Sequence, residues 1–181
     1  MNIVKTNFKH LLIINHDVFH DSRGSFKEVF RSNVIEENLD YKINFCQDNN
    51  VKSSYMVVRG LHYQEELHAQ SKLVSVTEGK ILDIAVDIRE NSKTYGKYFS
   101  YVLSEESNKS IFVPKGFAHG YLTLSEYADV NYKVDNYYNK NSERGISFKD
   151  KYLNIDWGVD ENKLIISDKD KKLTDFKWQI K

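Results

Sequence analysis

Between residues 72 and 134 the sequence is a series of short apolar segments separated by turn residues. The segments span 72–76, 81–88, 98–103, 110–113, 120–124 and 129–134. No helical pattern alternates with them, which argues against a doubly wound α/β fold. Short strands at this close spacing are typical of a β-sandwich or a closed β-barrel. The chain is therefore predicted to be an all-β protein.

The remaining local patterns predict few other elements. Thr77-Glu-Gly-Lys80 separates the first two strands and indicates a hairpin turn between them. Residues 33–39 form a short amphipathic segment that favours a helix with Ser32 as its cap. The polar tail from Asp156 predicts at most a terminal helix. With 181 residues and no internal linker, the chain is expected to be one domain spanning 1–181.

Composition excludes several classes of partner. Lysine plus arginine equals aspartate plus glutamate, 26 each, so the formal net charge is zero and a nucleic-acid partner is not expected. The single cysteine, Cys46, precludes an intrachain disulfide and suits a reducing compartment. Near the start of the chain the longest apolar run is 11–14, too short for a signal sequence or a membrane span. A cytoplasmic protein without membrane contact is the expectation.

A histidine lies in the apolar strand Val57-Val-Arg-Gly-Leu-His-Tyr-Gln64. Strict alternation places Val58, Gly60, His62 and Gln64 on one face and Arg59 on the other. If the first face lines a barrel, His62 points inward beside a glycine that leaves space. One histidine alone is more often a structural residue, so its significance depends on the polar residues nearby.

Two further side chains have a chemical use if they face the same interior. Lys72 begins a strand of apolar residues and, turned inward, is a fixed positive charge that stabilises an oxyanion. Tyr132 is in register with Val130 and Val134, and its phenol is able to deliver a proton as a general acid. The alternatives are a lysine that extends to solvent and a tyrosine that only packs.

Pro114-Lys-Gly-Phe-Ala-His119 has the Pro-x-Gly-x-x-His form of one cupin-barrel motif. In metal-binding cupins this histidine is a ligand together with a His-x-His pair and a glutamate. Here Tyr63 and Gln64 follow His62, so the His-x-His pair is missing, and His68 lies too far along to replace it. Iron, zinc or manganese would lack ligands, and no metal is expected.

Taken in order, these segments resemble the dTDP-4-dehydrorhamnose 3,5-epimerase family over nearly the whole chain. No single motif is decisive, but their order and spacing together are highly specific. The matching stretches are Val18-Phe-His-Asp-Ser-Arg-Gly-Ser-Phe26, Phe45-Cys-Gln-Asp-Asn49, Arg59-Gly-Leu-His-Tyr-Gln64, Gln70-Ser-Lys-Leu-Val74, Asp83-Ile-Ala-Val-Asp-Ile-Arg89, Ile111-Phe-Val-Pro-Lys-Gly-Phe-Ala-His-Gly120, 132–138 and Ser167-Asp-Lys-Asp170.

The resemblance implies a cupin-type jelly-roll barrel with a few short helices, and a homodimer in which an N-terminal segment reaches into the neighbour's site. By motif, His62 matches the family's base and Asp170 the carboxylate that orients it. Tyr132 matches the acid on the opposite face of the sugar, and Lys72 the residue near the 4-keto oxygen. No cofactor is implied, because the ketone is already part of the substrate.

The resemblance also implies a set of substrate-binding residues. Positions around the nucleotide and its diphosphate are matched by Phe19, Arg23, Glu28, Gln47, Asn49 and Arg59. His119 matches another pocket residue, and Tyr138 matches a residue that stacks on the base. The implied reaction is epimerisation at C3, C5 or both of a nucleotide-linked 4-keto sugar, for a surface polysaccharide such as a capsule.

The chain departs from the family pattern at a few positions. Asn50 stands where the family commonly has histidine, residues 54–58 differ from the usual run, Asn139 and Lys140 stand where a proline is usual, and the tail after Asp170 lacks its proline. A GDP-linked 4-keto heptose is thus an alternative to a dTDP-linked 4-keto-6-deoxyhexose. Two other classes stay open, a 3,4-keto-isomerase of the same barrel and a non-catalytic binding module. Retention of His62, Lys72, Tyr132 and Asp170 together favours the epimerase.

Overall fold

The computed structural model describes residues 1–178, and nearly all of its regular structure is β-strand. Each predicted strand segment lies within an observed strand or overlaps one. In chain order the strands are β1 (Asn2–Lys5), β2 (Leu12–Asn15), β3 (Val18–Asp21), β4 (Gly24–Lys27), β5 (Gln47–Ser54), β6 (Val57–Gln64), β7 (Lys72–Glu78), β8 (Lys80–Asp87), β9 (Tyr98–Ser104), β10 (Lys109–Val113), β11 (Phe117–Thr123), β12 (Tyr127–Val134), β13 (Glu143–Gly145) and β14 (Ile165–Ile166).

The strands form two large sheets that face each other. The first sheet has the order β1-β2-β10-β7-β12-β5, and the second has β13-β6-β11-β8-β9, with β14 added in parallel to β6. Between β7 and β12 the chain passes repeatedly from one sheet to the other, which is the connectivity of a jelly roll. The prediction of an all-β, cupin-type jelly-roll barrel with a few short helices is confirmed.

Alternation along each strand divides the apolar residues between the barrel interior and the outer faces. Inward residues such as Val74 and Val130 of the first sheet pack on Ile81 and Ala85 of the second. The outer face of the second sheet is covered by the C-terminal part of the chain, in which Trp157 is almost fully buried. Both faces of the second sheet are therefore shielded from water, which fixes its register firmly.

The predicted hairpin at 77–80 is wrong, because β7 and β8 lie in different sheets. Only Gly79 separates the two strands, and its φ of +80° turns the chain sharply from the first sheet into the second. A Cβ atom at this position would lie 2.2 Å from the carbonyl oxygen of Tyr127. The glycine that resembled a hairpin signal is therefore a corner of the barrel.

Two other local predictions are corrected. The helix α1 spans Ser32–Glu36, so Ser32 is its first residue, and the N-cap is Arg31, whose side chain makes no capping hydrogen bond. Between residues 156 and 178 the described tail contains no α-helix. It forms the short strand β14 and the 3₁₀ turns Glu161–Lys163 and Asp170–Lys172. Further 3₁₀ turns lie at Glu66–His68 and Glu105–Ser107.

Strands β3 and β4 form a separate two-stranded sheet, residues 18–27, which is called the arm below. Its residues Phe19 and Phe26 are 62% and 66% exposed and contact each other, with ring centroids 6.4 Å apart. An exposed pair of large aromatic side chains on a projecting hairpin is a typical contact surface. Over residues 1–178, no helix is long and apolar enough to span a membrane.

Candidate active site

A cavity of about 480 Å³ lies between the two sheets and is lined by all four predicted catalytic side chains. His62 reaches it from β6 and His119 from β11, both in the second sheet. Lys72 on β7 and Tyr132 on β12 line the opposite wall, in the first sheet. Asp170 enters from the C-terminal segment. Residues separated by more than one hundred positions thus meet in one interior, here called the barrel cavity.

His62 and Asp170 form a hydrogen-bonded pair. Nε2 of His62 lies 2.7 Å from Oδ1 of Asp170, whose side chain is 5% exposed. Burial raises the pKa of Asp170, but the hydrogen bond and charge of His62, with the Gly60 N–H, outweigh it and lower the pKa overall. The carboxylate therefore stays ionised at neutral pH and favours the Nε2–H tautomer of His62. Nδ1 is then the ring nitrogen available to a substrate proton.

Arg59 lines the same cavity as His62, although strict alternation predicted opposite faces. The pairing of β6 with β11 explains the difference. Arg59 is opposite Tyr121 and His62 is opposite His119, so three steps on β6 match two on β11. This extra residue is a β-bulge, and it returns Arg59 to the inner face. The sequence contained the glycine that accompanies the bulge, but no signal of its register.

A second histidine–carboxylate pair was not predicted. Nε2 of His119 lies 2.8 Å from Oδ2 of Asp83, and both side chains are buried. The other oxygen, Oδ1 of Asp83, has no hydrogen-bond partner among the described residues. The available signal was an aspartate within the apolar strand β8, at an inward position between Ile81 and Ala85. A buried carboxylate there needs a polar or charged neighbour.

Lys72 supplies the positive charge in this interior. Burial lowers its pKa from 10.5 to about 8, while the charges of Asp83 and Glu143 oppose that shift. At pH 7 the ammonium is thus still protonated but has lost much of its preference for the charged state. Such a group gains from any anion that forms next to it.

Tyr132 is half-buried on the wall opposite His62 and packs against the interior apolar cluster. Burial raises the pKa of its phenol, and Glu143 adds to that effect, while the charge of Arg59 opposes it. The hydroxyl is therefore protonated at neutral pH. A base on one sheet and a proton donor on the facing sheet are the two groups that inversion of a carbon centre requires.

A second cavity of about 380 Å³ adjoins the first and shares His62, Lys72 and Tyr132 with it. Its polar lining includes the predicted residues Gln47, Asn49 and Tyr138 and the unpredicted residues Gln70 and Glu143.

Glu143 connects this lining to the C-terminal segment. It accepts hydrogen bonds from the Tyr138 hydroxyl at 2.9 Å and from Lys169 Nζ at 2.6 Å. Through Lys169, Glu143 joins the polar lining of the second cavity to the segment that carries Asp170.

Three predicted substrate-binding residues lie elsewhere. Phe19 and Arg23 are on the arm, where Arg23 forms an exposed ion pair with Asp21 at 2.6 Å. Glu28 follows the arm and lies 3.4 Å from Arg31. None of Phe19, Arg23 and Glu28 is among the described residues that line the two cavities of their own chain.

The two cavity histidines each contact a single carboxylate, and no metal-binding cluster surrounds them. Throughout the described range 1–178, no group of three or more His, Cys, Asp or Glu side chains has the arrangement of a metal site. His68, the nearest sequence candidate for a further ligand, instead contacts the Asn139 amide, with 3.1 Å between Nε2 and Nδ2.

A jelly-roll barrel whose interior holds titratable side chains on facing sheets is the architecture of a cupin-type protein. The family model described as dTDP-4-dehydrorhamnose 3,5-epimerase matches residues 5–177. The dTDP-4-dehydrorhamnose 3,5-epimerase of Shigella flexneri is 48% identical over 170 residues, covering 94% of this chain and 93% of the relative. The chain therefore belongs to the dTDP-4-dehydrorhamnose 3,5-epimerase family and is an epimerase of nucleotide-linked 4-keto sugars.

Solved structures agree with this assignment. The crystal structure of dTDP-4-dehydrorhamnose 3,5-epimerase from Elizabethkingia anophelis has a TM-score of 0.94 and 48% identity, covering 98% of this chain and 97% of the other. The dTDP-6-deoxy-D-glucose-3,5-epimerase of Legionella pneumophila, solved in complex with dTDP-4-keto-L-rhamnose, has a TM-score of 0.90 and 42% identity. This match covers 96% of this chain and 92% of the Legionella chain.

The lowered pKa of Lys72 predicts an unusual pH dependence of stability. The pKa is about 8 in the folded chain and about 10.4 in the unfolded chain, so the unfolded chain binds more protons between these values. Lys72 therefore makes stability rise with pH across this window. We expect Lys72→Met to be more stable than wild type at pH 7, by on the order of 1–3 kcal/mol, with the gap closing towards pH 10.

Urea unfolding of both proteins from pH 7 to 10 measures this gap. Lys80→Met, at an exposed lysine, is the matched control and should show no pH-dependent difference. A gap between Lys72→Met and wild type that stays constant with pH would mean that Lys72 titrates like an ordinary surface lysine.

Proposed function

We propose that this chain inverts C3 and C5 of a dTDP-linked 4-keto-6-deoxyhexose by proton removal on one face and proton return on the other. The observation that carries the proposal is the placement of His62 and Tyr132 on facing sheets, with Lys72 also in the cavity wall. A sugar ring held between the two sheets would present one face to the base and the other to the acid.

The first step is removal of a proton next to the ketone. A 4-keto group acidifies the hydrogens on C3 and C5, because the resulting carbanion is delocalised onto O4 as an enolate. Nδ1 of His62 takes the proton, and the ionised Asp170 at 2.7 Å from Nε2 stabilises the imidazolium. One base is able to serve both carbons in turn when the ring reorients between the two steps.

The enolate oxygen needs a positive neighbour. Lys72 is charged at pH 7 and destabilised by burial, so an O4 anion beside it relieves that cost and is itself stabilised. His119, on the opposite wall of the same cavity, donates from Nε2 to Asp83 at 2.8 Å and has Nδ1 left to accept a hydrogen bond from a sugar hydroxyl. We assign Lys72 to O4 and His119 to binding of the sugar.

The second step returns a proton from the other face. Tyr132 is protonated at neutral pH because burial raises its pKa, so it has a proton to give to the enolate carbon. Transfer from the first-sheet side to a carbon deprotonated from the second-sheet side inverts that centre. The reaction includes no redox step, and neither proton transfer requires a cofactor.

The nucleotide and diphosphate are assigned to the remaining residues. Arg59 is exposed at the barrel cavity and is suited to a diphosphate oxygen. Gln47 and Asn49, joined by a hydrogen bond of 2.8 Å, face the second cavity next to Tyr138, which we assign to stacking on the base. We further propose that the reaction takes place in the cytoplasm and supplies a sugar for a surface polysaccharide.

The proposed substrate is tested by incubation with dTDP-linked 4-keto-6-deoxyhexose in D2O, with NMR detection at C3 and C5. We expect deuterium and inverted configuration at both carbons. A GDP-linked 4-keto heptose, run in parallel, should be a much poorer substrate. Preference for the GDP sugar would overturn the nucleotide assignment. Movement of the keto group to C3 would indicate a keto-isomerase, and binding without exchange a non-catalytic module.

Replacement of Tyr132 by phenylalanine separates exchange from inversion. The variant keeps the ring and its packing, so the fold should persist, and His62 still removes the proton. Without a donor on the opposite face, the proton returns mainly to the original side. We expect deuterium exchange to continue while net inversion falls about 100-fold or more.

The measurement compares the exchange rate with the rate of product formation on the same sample. Tyr98→Phe, which removes a tyrosine hydroxyl that contacts Asp156 N at 3.3 Å outside the cavity, is the control. If exchange and inversion both fall by the same few-fold factor in Tyr132→Phe, Tyr132 is not the acid.

We propose in addition that two chains form a dimer in which each arm completes the partner's site. The support is the exposure of Phe19 and Phe26 and the position of Arg23, which lies outside the cavities of its own chain. In a dimer with arm exchange, the arm's aromatic pair and guanidinium would lie next to the partner's Gln47 and Asn49. Each site in such a dimer would contain residues from both chains, so mixing two variants with different defects tests the arrangement directly.

Mixing two inactive variants should restore activity if the arms are exchanged. A His62→Asn chain has an intact arm, and an Arg23→Ala chain has an intact base. A mixed dimer then contains one complete site, so we expect recovery towards one half of wild-type activity per mixed dimer after co-refolding. If each arm instead serves the site of its own chain, every site in the mixture is defective. Activity then does not return, and the proposed exchange is wrong.

A further inference from the structure

Two buried hydroxyl groups form an interaction that the reaction scheme does not use. Ser53 Oγ on β5 lies 3.1 Å from the Tyr121 hydroxyl on β11, and the two side chains are 3% and 5% exposed. Strand β5 belongs to the first sheet and β11 to the second, so the contact joins the two walls of the barrel. Neither residue was identified from the sequence, and Tyr121 lines the barrel cavity.

The same serine holds the side chain of Arg59. Nε of Arg59 donates a hydrogen bond of 2.9 Å to Ser53 Oγ. The Tyr121 hydroxyl lies close enough to Arg59 for the guanidinium charge to oppose the rise in the pKa of Tyr121 that burial causes. Ser53 accepts from Arg59 and has its own proton left for Tyr121, so the three groups form a consistent donor chain.

These hydrogen bonds hold the guanidinium of Arg59 at Nε and leave its other edge to face the cavity. Arg59 itself is exposed there, whereas both hydroxyls that hold it are buried. An arginine side chain has several rotatable bonds, and ordering it against a phosphate costs conformational entropy. Fixing Nε before the ligand arrives removes part of that cost, which is how preorganisation increases affinity.

We propose that Ser53 and Tyr121 are positioning residues that hold Arg59 ready for the diphosphate of the nucleotide sugar. This inference rests on the proposed function, in which Arg59 binds the diphosphate. Tyr121 acts through Ser53, because its buried hydroxyl lies 3.1 Å from Ser53 Oγ, which in turn holds Arg59. The ligand chemistry it serves is a nucleoside diphosphate.

Binding of dTDP by isothermal titration calorimetry is the test, since dTDP carries the diphosphate and undergoes no reaction. Arg59→Ala should weaken binding about 10- to 100-fold through loss of a charge-assisted hydrogen bond. Tyr121→Phe and Ser53→Ala should each weaken it about 3- to 10-fold. Ser54→Ala, at the exposed neighbour on the same strand, and Tyr98→Phe should bind as wild type does.

A double-mutant cycle distinguishes positioning from a general structural role. In the Arg59→Ala background, Tyr121→Phe should change dTDP affinity by less than about twofold, because the group it positions is gone. A Tyr121→Phe effect that persists in that background would overturn the inference, and so would wild-type affinity in the Tyr121→Phe single variant. Circular dichroism of each variant confirms that the barrel has folded.

The outcomes also separate this inference from the proposed function. If Arg59→Ala weakens dTDP binding and Tyr121→Phe does not, the inference fails and the diphosphate assignment of Arg59 remains. If Arg59→Ala binds dTDP as wild type does, both the assignment of Arg59 and the inference are wrong. If the wild-type protein does not bind dTDP, the proposed substrate is wrong and the inference is refuted with it.

Discussion

The hydrogen bond between His62 and Asp170 joins residues that are 108 positions apart and fixes the chemistry of the interior. An ionised carboxylate that is 5% exposed is tolerated only with compensating partners, which here are His62 and the Gly60 N–H at 3.5 Å. The C-terminal segment must therefore stay folded against the second sheet for the base to be oriented.

That segment is attached by a second buried carboxylate. Asp150 accepts hydrogen bonds from the Phe176 N–H at 2.8 Å and from Trp178 Nε1 at 3.2 Å, and Trp157 fills the space beneath. The polar pattern of the tail alone predicted no role, and only the family motif pointed to Asp170. In the structure the tail both covers the outer face of the sheet and delivers Asp170 to the inner one. Packing at the periphery and orientation of the base therefore depend on the same segment of the chain.

The sequence predicted the features that follow from local pattern. Short alternating segments indicated a β-barrel, and the family motifs brought together His62, Lys72, Tyr132, His119 and Asp170, which all line one cavity. Four of them project inward from strands of the predicted kind, so their meeting follows from the period of two, whereas Asp170 comes from a 3₁₀ turn of the tail.

The features that the sequence did not predict depend on contacts between distant strands. The corner at Gly79 has the composition of a hairpin turn, and only the pairing of β7 and β8 with other strands distinguishes the two. The bulge that turns Arg59 inward is a matter of register with β11. Ser53 and Tyr121 are unremarkable in sequence and acquire their roles only from partners across the barrel.

The central claim is that one base, His62, removes the proton from both carbons, and deuterium exchange by His62→Asn tests it most directly. The variant is incubated with the dTDP-linked 4-keto sugar in D2O, and NMR follows C3 and C5 separately. Loss of a general base predicts that exchange falls at both positions by about 100-fold or more relative to wild type. Near-normal exchange at either carbon would contradict the account, because a base other than His62 would then act there.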